Sequence, residues 1–145
     1  DRLEGKARAV VRDVEAAVDR ELSALLAAAQ TLATSAALES RDFPAFERQA
    51  YEVAAARGVE IALVTSTGRH VVNTTLPRGS LITRSPNFTP DAAAQAAIAA
   101  GLPFVSDLFR GPLTGRNLLR LSVPAYIHAE GSGGWGHGRL VLVFG

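Results

Sequence analysis

The chain has 145 residues, which suits one domain built around one core. Hydrophobic residues make up 48% and charged residues 20%, a globular composition that excludes a disordered chain. A net charge of +1 argues against a nucleic-acid partner, which calls for a strongly basic patch.

Arg2 to Ser35 reads as one helix. Apolar residues recur three and four apart at Leu3, Ala7, Val11, Val14, Val18, Leu22, Leu25, Ala29 and Leu32. Charges such as Arg8, Arg12, Glu15, Asp19 and Arg20 fill the other side. At 1.5 Å per residue the helix is roughly 50 Å long, longer than the core of so short a chain is wide. Its first half is therefore expected to protrude and to pair with a second copy through Ala7, Val11, Val14 and Val18. No uninterrupted apolar run of about 18 residues occurs, so no membrane span is expected. Asp1-Arg2-Leu3-Glu4 is polar and unlike a leader peptide. The sequence contains no Met, and the expectation is a segment of a longer protein. It contains no Cys, which fits extracytoplasmic and cytosolic locations alike.

A second helix is expected over Phe43 to Arg57, with Asp42 as its cap, Pro44 in its first turn and Gly58 as its stop. Phe46, Ala50, Val53 and Ala54 give its apolar face. Val59 to Thr65 and Arg69 to Thr74 flank Ser66-Thr67-Gly68 and read as a β-hairpin. Thr75 to Thr89 has no period and reads as a long loop, of the kind that carries function. Thr89-Pro90-Asp91 opens a third helix that Gly101 ends. Phe104 to Leu108, Leu118 to Ile127 and Arg139 to Phe144 are the remaining strands, with turns over Gly111 to Arg116 and Gly131 to Gly138. The fold class is α+β: a long N-terminal helix (residues 1–35) and a second helix packed on a five-stranded antiparallel sheet, residues 40–145 forming the core of a single domain over 1–145.

In the fourth strand, Leu119, Leu121 and Val123 are expected to face the helices, which turns Arg120 and Ser122 to the other side. An arginine buried there needs a partner, because a lone buried charge is very costly. An anionic ligand and Asp107 are both candidates. Asn73 and Thr74, where the second strand breaks into the loop, offer amide and hydroxyl groups for recognition or for turn bonds. Arg78 and Arg84 could cover a pocket or stand in solvent. Ser106 and Asp107 could line the site, or Asp107 could cap the next turn. The candidate ligand-binding set is thus Asn73, Thr74, Arg78, Ser106, Asp107, Arg120 and Ser122. His70, His128 and His137 are scattered without metal-binding spacing, and no nucleophile elbow or phosphate loop occurs. No catalytic residue, metal or cofactor is expected. Trp135 in GSGGWGHG reads as a packed or interfacial aromatic at a hairpin tip.

The order of elements, the S-T-G turn, NTTLPRG after the second strand, VSDLFRGPLTG before the fourth and LSVPAY within it resemble the PAS-like Cache (PDC) sensor domain. Single modules of this type lie between two membrane helices of bacterial receptors, notably sensor histidine kinases. The resemblance implies a periplasmic or extracellular domain of an inner-membrane protein. It also implies flanking transmembrane helices and a small-molecule pocket on the sheet face away from the long helix. The segment itself is then non-catalytic, and the full-length protein is expected to be a two-component histidine kinase. The alternatives are the sensor of a chemoreceptor or diguanylate cyclase, or a structural dimerisation module without a ligand of its own.

Overall fold

The long helix α1 runs Arg2–Ala33. Leu25, Ala29 and Leu32, three and four apart, are the side chains it buries. The same stripe continues exposed through its first half, where Leu3, Val10, Val11, Val14 and Val18 all face solvent. The chain is described by a computed structural model that covers residues 2–65, 70–78, 92–106, 109–110, 115, 117–128 and 135–144. One 18-residue stretch of the helical span Arg2–Glu39, of mean hydropathy 1.2, is long and apolar enough to cross a membrane. A core helix meets the same criteria, and this one packs its buried stripe on the sheet.

A four-residue helix α2 (Ala36–Glu39), not expected from the sequence, follows α1; Ser35 caps it by accepting from the Leu38 N–H. Helix α3 (Phe43–Arg57) has the expected ends. Asp42 Oδ1 accepts from Ala45 N at 3.2 Å, and Gly58 closes the helix at φ +66°, a conformation that disfavours a side chain. Phe46, Ala50 and Ala54 are buried as its spacing demands, with Val53 half-buried.

The strands are β1 (Glu60–Thr65), β2 (His70–Asn73), β3 (Phe104–Val105), β4 (Phe109–Arg110), β5 (Asn117–His128) and β6 (Trp135–Phe144). Helix α4 (Ala92–Ala99) precedes β3. The sheet order is β2-β1-β6-β5-β3, with β4 also pairing β5, and every pairing is antiparallel. The five expected lanes are present, and the last strand lies at their centre.

Strand boundaries differ from expectation in several places. Of the lane expected over Phe104 to Leu108, β3 covers Phe104–Val105, and β4 begins at Phe109, beyond the expected end. Past Val105, Ser106 Oγ takes the Arg120 N–H in place of a main-chain carbonyl, while Ser106 N donates to Arg120 O. Strand β6 starts at Trp135, inside the stretch expected to be a turn. Pairing of Trp135 to Gly138 with β5 overrides the weak strand preference of its glycines. Strand β2 starts at His70 and stops at Asn73; beyond it Thr74 Oγ1 takes the Ile61 N–H and Thr74 N donates to Ile61 O. At Thr74 and at Ser106 a side-chain hydroxyl thus acts as a surrogate carbonyl. The expected turn at 66–68, Arg84, the Thr89-Pro90-Asp91 helix start and Asp107 lie outside the described residues.

Alternation divides the sheet into two faces. Ile61, Leu63, Val72, Leu121, Val123, Ala125, Leu140 and Leu142 join α1, α2 and α3 in one core. Leu121 and Val123 meet the expectation, and Leu119 is half-buried. The intervening residues form the second face.

Candidate functional site

The second face is built from register. On β5 it carries Arg120, Ser122 and Pro124, opposite Val143, Val141 and Arg139 of β6. On the other side of β6, Arg139 pairs with Val64 of β1, and Val64 pairs with His70 of β2. Asn73 stands opposite Ala62, whose other neighbour is Val141. This face is shielded from water: Val64, Val141 and Ser122 are buried, and Arg139 is 7% exposed. Helix α4 packs against β5 and β3.

Two of these groups give the face its character. Arg139 is pulled below its ordinary value first by burial and then by the charge of Arg120. The two arginines share this face, four residues apart in register along β5. Ser122 lies between them in register, 1% exposed, and its Oγ has no hydrogen-bond partner among the described residues. Leaving a buried hydroxyl unbonded costs about 1–3 kcal/mol, which a ligand acceptor would recover.

His70 completes the row on β2. Burial first, and then the Arg139 charge, hold it below its ordinary value of 6.5. Its Nδ1 lies 3.3 Å from Asn73 Nδ2, which donates when the ring proton is on Nε2. The sign of the pH effect follows. The unfolded chain protonates His70 near pH 6.5 while the folded chain resists, so this stability is complete above that pH and is lost as pH falls below it. Melting temperature is expected to fall between about pH 7 and 5, and His70→Gln is expected to remove part of that fall. An identical profile in the variant would contradict the burial of this imidazole beside Arg139.

The residues expected from sequence divide into groups. Arg120 and Ser122 share the second face as the alternation requires. Asn73 reaches the same face, but its Oδ1 accepts from Thr75 N at 2.9 Å and Thr75 Oγ1 at 2.6 Å, which is turn chemistry. The hydroxyls of Thr74 and Ser106 accept from the backbone of Ile61 and Arg120. Arg78 is not brought to the site. It is exposed, with its guanidinium 5.9 Å from the ring centre of Tyr51 on α3, across the sheet from Arg120. The Tyr51 hydroxyl fixes this corner by donating to the carbonyls of Asn73 and Leu76. Asp107 lies outside the described residues, so its pairing with Arg120 is not tested.

Arg139 and His70 were missed. Arg139 opens the expected fifth strand, where a charge reads as a solvated strand end, and only the central place of β6 buries it. A separate apolar cleft of about 160 Å³ lies on the helix side, between Leu22, Ser23 and Leu26 of α1 and Pro103, Val105 and Leu121. Among the described residues no cluster of His, Cys, Asp or Glu could hold a metal.

The architecture has solved counterparts. The sensory domain of the Campylobacter jejuni chemoreceptor Tlp3, crystallised with isoleucine bound, superposes with a TM-score of 0.66 at 12% identity, over 92% of this chain and 55% of that one. This chain has the fold of chemoreceptor sensory domains. The ligand-binding domain of Mlp24 with asparagine matches at a TM-score of 0.62 and 14% identity, over 93% of this chain and 54% of the other. The ligand-binding domain of the Pseudomonas aeruginosa PAO1 amino-acid chemoreceptor PctC, in complex with GABA, matches at 0.54 and 17% identity, over 86% and 54%. The chain spans about half the length of each solved sensory domain. No protein-family model and no curated protein matches it.

Proposed function

We propose that this chain is the extracytoplasmic ligand-sensing domain of a bacterial transmembrane receptor, and that it binds a small carboxylate on the second face of its sheet. The observation that carries the reading is that Arg120 and Arg139 stand on one shielded face of the sheet with Ser122 between them in register, its buried Oγ without a hydrogen-bond partner among the described residues. A carboxylate accepts two parallel hydrogen bonds from a guanidinium and matches its charge. Isoleucine, asparagine and GABA, found with the structurally similar domains, all carry a carboxylate. The segment is non-catalytic and periplasmic in this reading, with flanking transmembrane helices and a homodimer through α1. Its sequence resembles the sensors of histidine kinases, and its structural likeness is to those of chemoreceptors; the downstream domain of the full-length protein decides between these outputs.

The mechanism is a population shift. Ligand on the second face ties Arg120 of β5 to Arg139 of β6 and favours the sheet geometry in which the two approach. Strand β6 also touches α1, so the shift reaches the helix whose free half leads away from the core. The test is a thermal-shift screen with small carboxylates. A binder present at about 100 times its Kd is expected to stabilise the fold by about 2.7 kcal/mol, and Arg120→Ala is expected to abolish the gain while unfolding stays cooperative. A ligand whose effect survives Arg120→Ala would place the pocket elsewhere. The absence of any binder would leave the dimerisation module.

A further inference from the structure

We infer that Tyr51 is a latch joining helix α3 to the second face of the sheet: its hydroxyl holds the turn that follows β2, and through Asn73 of that turn it sets the position of the His70 ring. The latch consists of the protein's own atoms and does not require that the face bind a carboxylate.

Strand β2 is irregular where the latch begins. Val72 pairs with Leu63 and His70 with Val64, so Val71 is an extra residue and the register shifts there. Val71 and Val72 both pack into the helix-side core. His70 and Asn73, three residues apart, therefore share the second face, where regular alternation would set them on opposite faces. Asn73 Nδ2 comes within 3.3 Å of His70 Nδ1.

Asn73 also opens a turn with several fastenings. Its Oδ1 accepts from Thr75 N and Thr75 Oγ1, and its carbonyl accepts from Leu76 N at 3.3 Å. Thr74 ties the turn to Ile61 of β1. Tyr51 reaches in from α3, and its one hydroxyl proton is shared between the carbonyls of Asn73, at 3.2 Å, and Leu76. The hydroxyl thus spans both ends of the turn. Beyond the turn, the Arg78 guanidinium stands 5.9 Å from the centre of the same ring. Helix α3 packs on β1, and the Tyr51 hydroxyl extends its hold to the end of β2, the neighbouring lane. Asn73 is the crossing point, since its carbonyl meets the helix layer and its side chain meets the second face. Movement of α3 relative to this edge acts on the Asn73 carbonyl, and rotation of that peptide shifts the side chain against His70.

The test is nuclear magnetic resonance of the 145-residue chain at about pH 8, where the imidazole is neutral. Tyr51→Phe keeps the ring and removes the hydroxyl. It is expected to shift the Thr75 and Leu76 amide signals and, on the other face, the ring-nitrogen signals of His70. The Nδ1–H to Nε2–H tautomer ratio is expected to change at least about twofold, the effect of a weak net hydrogen bond. Val53→Ala, which loosens the same helix and keeps the hydroxyl, is expected to leave the His70 signals in place, and so is Arg78→Ala. Should Tyr51→Phe fail to fold, His70→Val reads the path from its other end and is expected to shift the Tyr51 Cζ signal. His70 signals unmoved in Tyr51→Phe, or moved as far in Val53→Ala, overturn the latch and leave Tyr51 a contact of stability alone. A Tyr51 Cζ signal unmoved in His70→Val overturns it as well.

Discussion

Phe46→Ala is expected to lower the free energy of unfolding by about 3–5 kcal/mol. The ring is completely buried and lies where α3 meets the rest of the core. Its removal loses the transfer energy of the ring and leaves a cavity that rigid neighbours cannot refill. Against a total stability of about 5–15 kcal/mol for a domain of this size, that loss takes the variant to the edge of unfolding at growth temperature. Urea titration measures it directly. Val53→Ala, on the same helix but half-buried, is expected to cost much less. A loss below about 1 kcal/mol for Phe46→Ala would mean that α3 does not pack as described.

If α1 pairs with a second copy as proposed, Val14→Asp is expected to disrupt that self-association while the domain remains folded. Val14 is 56% exposed, so the monomer does not need it. The stripe that buries Leu25, Ala29 and Leu32 runs on through Val18, Val14 and Val11, and in a parallel pair of helices these residues meet their own copies. Two aspartates facing each other in such a seam add desolvation to like-charge repulsion, a cost of several kcal/mol. These 145 residues hold no cysteine, so an introduced one is unique within them and cross-linking of the 145-residue chain tests the seam. Val14→Cys is expected to form a disulfide between subunits, and Ala16→Cys, on the opposite side of the helix, is not. Cross-linking at Ala16 instead of Val14 would assign the seam to another face.

What could be read from the sequence was whatever neighbouring residues decide. Asp42, Pro44 and Gly58 mark the ends of α3 by local hydrogen bonds and backbone angles. The alternation of Leu121 and Val123 with Arg120 and Ser122 fixed which side of β5 each would take. What escaped depends on contacts between distant segments. Arg139 is a strand end by pattern and a buried cation only because β6 inserts between β1 and β5. Arg78, counted among the candidate pocket residues, stands exposed with its guanidinium 5.9 Å from the ring centre of Tyr51 on α3. Asn73 and Thr74 have the right chemistry for recognition but spend it on their own turn and on the end of β1.

The central position of β6 also sets how the molecule responds to load. It is hydrogen-bonded on both flanks, from Gly138 to Val143 with β1 and from Trp135 to Phe144 with β5. Sliding it alone would shear both ladders together, so it is held like the middle board of a glued panel. Any displacement begun at Arg139 must therefore be carried as a tilt of the whole panel. α1, resting on β5 and β6 through one apolar stripe, is the rail on which that tilt turns. A small rocking at this contact is magnified along the free length of the helix, as at the far end of an oar.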